Sequence, residues 1–209
     1  MKKIMFNDKY GLTEAVIEGR KTMTRRAVQG KYLRIYEDMS RLGRPVYPLE
    51  EWLIRKAAAY KVGEVIAVAQ SYKDLGYTKG WVEQHIRPNP NANRNDSFEK
   101  KYPGWSNKMF VPAELNKAHK IRITDIKVER LQDISDIDCA TEGIRYYLNF
   151  SEKRIARFYI DAIPNYYPGA MTTYDSVRQA FAALIDKVSC KGTWEQNPYV
   201  FAYTFELVK

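Results

Sequence analysis

The fold is read from one stretch: Lys120, Ile121, Arg122, Ile123, Thr124, Asp125, Ile126, Lys127, Val128, Glu129, Arg130, Leu131. Ile121 and Ile123 alternate with polar neighbours, the phase slips at Asp125, and the alternation resumes at Ile126 and Val128. A period of two belongs to a strand with one buried face. A slip of one residue is what a β-bulge produces, and a bulge bends the strand that carries it. This stretch is therefore expected to be a bent, barrel-forming strand.

Toward the C-terminus, Ser135 is placed to cap a short helix carrying Asp138, Cys139, Ala140, Thr141 and Glu142 up to Gly143. Val177, Phe181, Leu184, Ile185 and Val188 recur at helical spacing, with Thr172 or Thr173 as the expected cap. Tyr199, Phe201, Tyr203, Phe205 and Leu207 then alternate with Val200, Ala202, Thr204 and Glu206 as a closing strand. Toward the N-terminus, residues 65–72 read as a strand after a turn at Gly63, and residues 48–60 as a helix with Pro48 at its start. Residues 2–6 form an opening strand, and Leu12, Ala15 and Val16 share one face of a helix that Gly19 stops. Strands dispersed among helices without regular βαβ units give an α+β class with a small mixed barrel flanked by helices. Residues 76–106 shift to Pro, Asn, Gly, Arg and Trp, and a stretch that long with no periodicity is expected to be an insertion, a mobile basic flap over one face.

With 209 residues, 45% of them hydrophobic, and 16 Tyr, 8 Phe and 4 Trp, the chain can bury a core as one domain, 1–209. No apolar run nears the ~18 residues of a membrane span, and the N-terminus lacks a leader's apolar stretch, so neither anchor nor signal is expected. Cys139 and Cys190 lack the spacing of a zinc or redox motif, and His85 and His119 are the only histidines. A metal site, a bound cofactor and a Ser-His-Asp triad are accordingly not expected, and the cytoplasm is the expected compartment. The net charge of +9 favours an anionic partner if it is gathered on one face.

The basic excess is visible at Lys100 and Lys101, at Lys117, His119, Lys120 and Arg122, and at Lys21, Arg25 and Arg26 within the stretch Gly19, Arg20, Lys21, Thr22, Met23, Thr24, Arg25, Arg26. This stretch resembles the G-x-K-x-x-T-x-R signature of ASCH domains, with Gly19, Lys21, Thr24 and Arg26 in the defining places. The run from Tyr60 to Ile66 resembles the strand that follows that motif. Val128 to Ser135, with Glu142 and Gly143 behind it, resembles a stretch of phage and prophage ASCH proteins, and Trp194 to Val200 resembles their closing strand. The resemblance frames the whole chain, with insertions at about 76–106 and 146–169. It implies a PUA-like β-barrel with a cleft that takes RNA or a modified nucleoside. Small relatives of the family are amidohydrolases acting on N4-acetylcytidine through a lysine, a threonine and a glutamate, to which Lys21, Thr24 and Glu142 correspond. Where many phage-type relatives have an Arg-Glu pair, this chain has Ala69 and Gln70.

The expected ligand-binding residues are therefore Lys21, Thr24, Arg25, Arg26, Gln70 and Glu142, around RNA or a nucleoside. If the site is catalytic, Thr24 would attack, Lys21 would act as a base kept neutral by burial and by Arg25 and Arg26, and Glu142 would orient the amine. If it only binds, Lys21 and Arg26 would hold a phosphate to which Thr24 donates. Trp81, Tyr102 and Trp105, interleaved with Arg87, Arg94, Lys100 and Lys101, could stack unpaired bases or could anchor the insertion to the body. A third reading is a phage accessory protein that binds a host protein.

Overall fold

The computed structural model describes residues 1–43, 48–115, 119–149, 154–160 and 172–208. In chain order its elements are β1 (Lys3–Ile4), α1 (Leu12–Ile17), β2 (Met23–Ala27), α2 (Lys31–Arg41), α3 (Leu49–Ala57), β3 (Val65–Val68), α4 (Lys79–His85) and α5 (Phe98–Lys101). There follow β4 (Lys120–Arg130), α6 (Asp136–Thr141), β5 (Arg145–Asn149), β6 (Arg154–Tyr159), α7 (Val177–Val188), α8 (Thr193–Gln196) and β7 (Tyr199–Val208). Five strands make one mixed sheet in the order β1-β3-β4-β7-β2, with β1 parallel to β3 and β2 antiparallel to β7. The class is α+β. The order has two ends, β1 and β2, and among the described residues the sheet is open.

β4 shows the expected slip in burial. Ile121 and Ile123 are buried, the next buried positions are Ile126 and Val128, and Asp125 stands between the two phases. Helix starts follow local capping chemistry. The Ser135 hydroxyl accepts from the Asp138 amide at 3.1 Å, and so stops one of the otherwise unpaired first-turn N–H groups of α6 from being wasted. α7 is capped by Ser176, which accepts from the Gln179 amide at 3.1 Å, and not by Thr172 or Thr173. Ser176 immediately precedes the apolar run, and the helix needs its acceptor there. α7 buries Val177, Ala180, Phe181, Leu184 and Ile185 along one side. α2 is an element the sequence reading passed over, although Tyr32, Tyr36 and Met39 stand at helical spacing and Tyr36 is buried.

Contacts divide the chain into two compact units. One consists of Met1–Phe6, Val65–Ile121 and Leu207–Lys209, and the other of Asn7–Glu64 and Arg122–Glu206. The first contains residues 76–106, which are not a structureless loop. α4 is capped by Thr78 and α5 by Ser97, and both lie on an aromatic cluster. Tyr72, Leu75, Val82 and Val111 form its buried centre, with Tyr77, Trp81, Phe98, Tyr102 and Trp105 packed around them. Tyr102 and Trp105 therefore anchor the segment, which has an apolar core of its own. In the second unit, β5 and β6 pair as a separate antiparallel hairpin, with Arg145 opposite Tyr159. It falls in the segment expected as the insertion 146–169, of which 150–153 and 161–169 lie outside the described residues.

Gly104 shows how closely that aromatic cluster is packed. A Cβ there would stand 2.5 Å from Tyr72 Cε2, while the Gly104 carbonyl accepts from the Tyr72 amide at 2.9 Å. Gly104→Ala is expected to lower stability by about 1–3 kcal/mol through overpacking, read from urea unfolding followed by tryptophan fluorescence. An unchanged midpoint would mean that the cluster yields without cost.

Candidate functional site

Lys21 reaches its place through two glycines. Gly19, at φ 76°, turns the chain out of α1, and the Lys21 amide then donates to the Ala15 carbonyl at 2.9 Å. Gly143, at φ 95°, follows Glu142, and a Cβ on it would lie 3.2 Å from Leu12 Cδ2 and 3.5 Å from Lys21 Cβ. The positive φ is what calls for glycine at Gly143, and its lack of a side chain also leaves room for Leu12. The two segments meet as an isolated antiparallel bridge between Lys21 and Glu142, beside which the Thr22 amide donates to the Thr141 carbonyl at 3.0 Å.

The Lys21 amine donates to the Glu142 carboxylate through Oε2 and to the Glu142 carbonyl at 2.9 Å. The other carboxylate oxygen accepts from Arg25 Nη1 at 3.0 Å. Arg25 in turn donates through Nε to Glu129 at 2.8 Å and through Nη2 to Asp138 at 3.4 Å, with its guanidinium 5.9 Å from the Phe181 ring centroid. The pair is sealed: the Lys21 side chain is 2% exposed and that of Glu142 4%. Two cations thus face three carboxylates, so the cluster carries no surplus positive charge for a phosphate.

Burial draws the Lys21 amine below the ordinary lysine value. The Glu142 charge and hydrogen bond pull it back up, and the positive charges of Arg26 and Arg25 add to the fall. Burial also acts to lower Arg25, but Glu142 and Glu129 outweigh it and hold the guanidinium above its ordinary value. Cys139, fully buried in α6, has its thiol pushed up to about 12 by burial, so it is a packing residue with no thiolate to offer.

Register separates the remaining site residues. In the β2–β7 pair, Thr24 lies opposite Tyr203 and Arg26 opposite Phe201, while Arg25 lies opposite Ala202. Directly opposed residues project to the same side of a sheet. Thr24 and the exposed Arg26 therefore share a face with Tyr203, and Arg25 and its carboxylates occupy the other. On the Thr24 face the Tyr203 hydroxyl accepts from the Ala59 amide at 3.1 Å, and Tyr60 packs on Tyr203 with ring centroids 5.4 Å apart. Lys21 sits just ahead of β2, where the charges of Glu142, Arg26 and Arg25 all act on its amine.

Gln70 belongs to the first compact unit, where it is buried and its Oε1 is 2.7 Å from His119 Nδ1. Glu129 and Asp138 are site residues the sequence reading did not single out. The available signal was a carboxylate at the point where the β4 alternation ends, and another in the first turn of the capped helix. Among the described residues no group of three or more His, Cys, Asp or Glu could hold a metal ion, and no helix is long and apolar enough to cross a membrane.

Removing one member of such a cluster leaves a buried charge unpaired. Glu142→Ala is expected to cost about 3–5 kcal/mol in urea unfolding, because both Lys21 and Arg25 lose their shared partner. For Lys21 the pH dependence has a definite sign. Its folded amine titrates below the unfolded value of about 10.4, so the unfolded chain binds more protons between the two and stability rises with pH across that window. The stability of the parent relative to Lys21→Met should therefore grow on alkaline titration. A difference that shrinks would show that the Glu142 attraction dominates instead.

Comparison with family models, with curated proteins and with solved structures finds no match, and the reading of this site rests on its own geometry.

Proposed function

We propose that the chain is an ASCH-type protein of PUA-like architecture that binds a nucleoside, free or within RNA, at the Lys21 end of β2. The observation that carries this reading is the sealed Lys21–Glu142–Arg25 cluster at the motif that resembles the ASCH signature. Its ionic balance suits the neutral donors and acceptors of a base better than a phosphate. A buried ion pair is a poor device for stability alone, since well-packed apolar residues of the same volume usually serve as well or better. The cluster holds the Lys21 end of β2 in place, and the opposite face of that strand carries Thr24 and Arg26 with Tyr203 and Tyr60, which would give a ligand its polar and aromatic partners. Within RNA, the exposed Arg26 would hold the neighbouring phosphate.

A second reading, an amidohydrolase for an acylated nucleoside such as N4-acetylcytidine, is favoured by the lowered Lys21 amine. A lysine that gives up its proton more easily is a better base, and the resemblance makes Thr24 the residue it would activate. Glu142 then holds the amine in place.

Titration with cytidine and incubation with N4-acetylcytidine, followed by chromatography, separate the readings. Binding without product supports the binder, with affinity falling at least about tenfold in Lys21→Met, an uncharged replacement of similar length. Release of cytidine by the parent, lost in both Lys21→Met and Thr24→Val, supports the enzyme. Neither binding nor product would overturn both. Lys21→Arg is not a fair test, because the larger guanidinium has no room in a sealed slot.

A further inference from the structure

A second feature of the Asn7–Glu64 segment is not used by the Lys21 site. α3 carries Trp52, Arg55 and Lys56 at i, i+3 and i+4, which places them on one side of the helix. With Pro48 and Glu51 they line a groove of about 270 Å³. Trp52 is half-buried, so its indole has both a packed and an open part, while Arg55 and Lys56 are exposed. Tyr32 of α2 stands across the indole at 78° with ring centroids 6.0 Å apart, and Lys31 lies 5.2 Å over the Tyr32 ring. The α2–α3 contact thus fixes the indole in one orientation at the edge of the groove.

We propose that this groove is a nucleotide-binding site, in which a base stacks on Trp52 and the attached phosphate lies between Arg55 and Lys56. Each part of the groove answers a part of that ligand. An indole is a stacking surface for any base, and two adjacent cations offset the charge of a phosphate where a single one would leave most of it unopposed. Glu51, the lining acceptor, can take a hydrogen bond from a base amino group or a ribose hydroxyl. The volume lies near the lower end of the roughly 300–1,000 Å³ of small-molecule sites, which fits one nucleotide and not a dinucleotide. Unlike the Lys21 cluster, with its three carboxylates to two cations, this groove has two cations to one carboxylate. It also has the aromatic and basic interleaving that the 76–106 segment spends on its own core.

The ligand could be a free mononucleotide or one nucleotide of an RNA strand, and the two differ in how affinity depends on chain length. Binding of AMP, UMP, oligo(rA) and oligo(rU) of ten nucleotides is measured by fluorescence quenching and calorimetry on the full chain. The comparison is with Trp52→Leu, with Arg55→Ala/Lys56→Ala and with Lys21→Met. The expected result is that Trp52→Leu weakens binding by about tenfold or more, from the loss of one stacked base. The double variant should weaken it further and flatten the salt dependence. The Trp52→Leu effect should be the same in a Lys21→Met background, which separates the groove from the nucleoside site proposed above. Mononucleotides binding as well as decamers assigns the groove to a free nucleotide, and binding by decamers alone assigns it to an RNA strand. Thermal midpoints of the α3 variants near the parent's would confirm that they fold, and Trp52→Phe, which keeps a ring, should restore part of the affinity if Trp52→Leu proves unstable. Binding indifferent to Trp52 and to Arg55 and Lys56, binding matched by pyrophosphate or heparin, or no binding of any of the four ligands would overturn the proposal.

Discussion

The burial of the Lys21 amine against the Glu142 carboxylate is the constraint on which the second unit's architecture turns. Removing a charge from water costs several kcal/mol, and the cost is recovered only if each ion keeps its partner and its hydrogen bonds. The fold meets that condition from both sides. Lys21 donates to the carboxylate and the carbonyl of the same residue, and the carboxylate's second oxygen is taken by Arg25. Arg25 then draws Glu129 from the end of β4 and Asp138 from α6 into the same cluster. Five charges from three separate stretches of chain are thereby tied to one another, and Gly143, at φ 95°, makes the turn that lets the Glu142 segment lie against Leu12.

The same arrangement decides what chemistry is available. Charges that neutralise one another inside the protein do not attract a phosphate, so the net charge of +9 has to act elsewhere on the surface. What the cluster offers is an amine drawn below its ordinary value and a carboxylate fixed at hydrogen-bonding distance, next to a strand that presents Thr24 and Arg26 on its other face. That combination fits recognition of a polar, uncharged group, and it places the binding and hydrolytic readings close together chemically. The α3 groove is complementary in kind, with cations in excess and an aromatic ring at its edge.

Periodicity was a good guide wherever one face of an element is buried and the other is wet. The change of burial phase in β4 could be read from Ile121, Ile123, Ile126 and Val128, because a strand that changes phase must change which positions it buries. α6 was legible from Ser135, and α7 from its apolar stripe. The cap of α7 was misplaced because several hydroxyl residues precede the helix and only the local backbone selects Ser176. The aromatic cluster of the 76–106 segment is assembled from short pieces, Tyr77 with Trp81 and Phe98 with Tyr102 and Trp105, each only one or two turns long and separated by the Pro- and Asn-rich run from Pro88 to Asn95 that hides them in the sequence.

By itself the sequence determined the α+β class and those elements that bury one face and wet the other. These depend on local propensity and on the alternation of polar and apolar residues, which neighbours in the chain impose on one another. The resemblance implied Glu142, 121 residues away, as the group that orients Lys21, and only the tertiary structure decided that Glu129 and Asp138 complete the cluster and that Thr24 and Arg26 face away from Arg25. An ion pair has no sequence period. Its partners are chosen by which carboxylates the packing of the strands and helices carries into the same desolvated volume, and by which of them the burial of Lys21 then requires to stay charged.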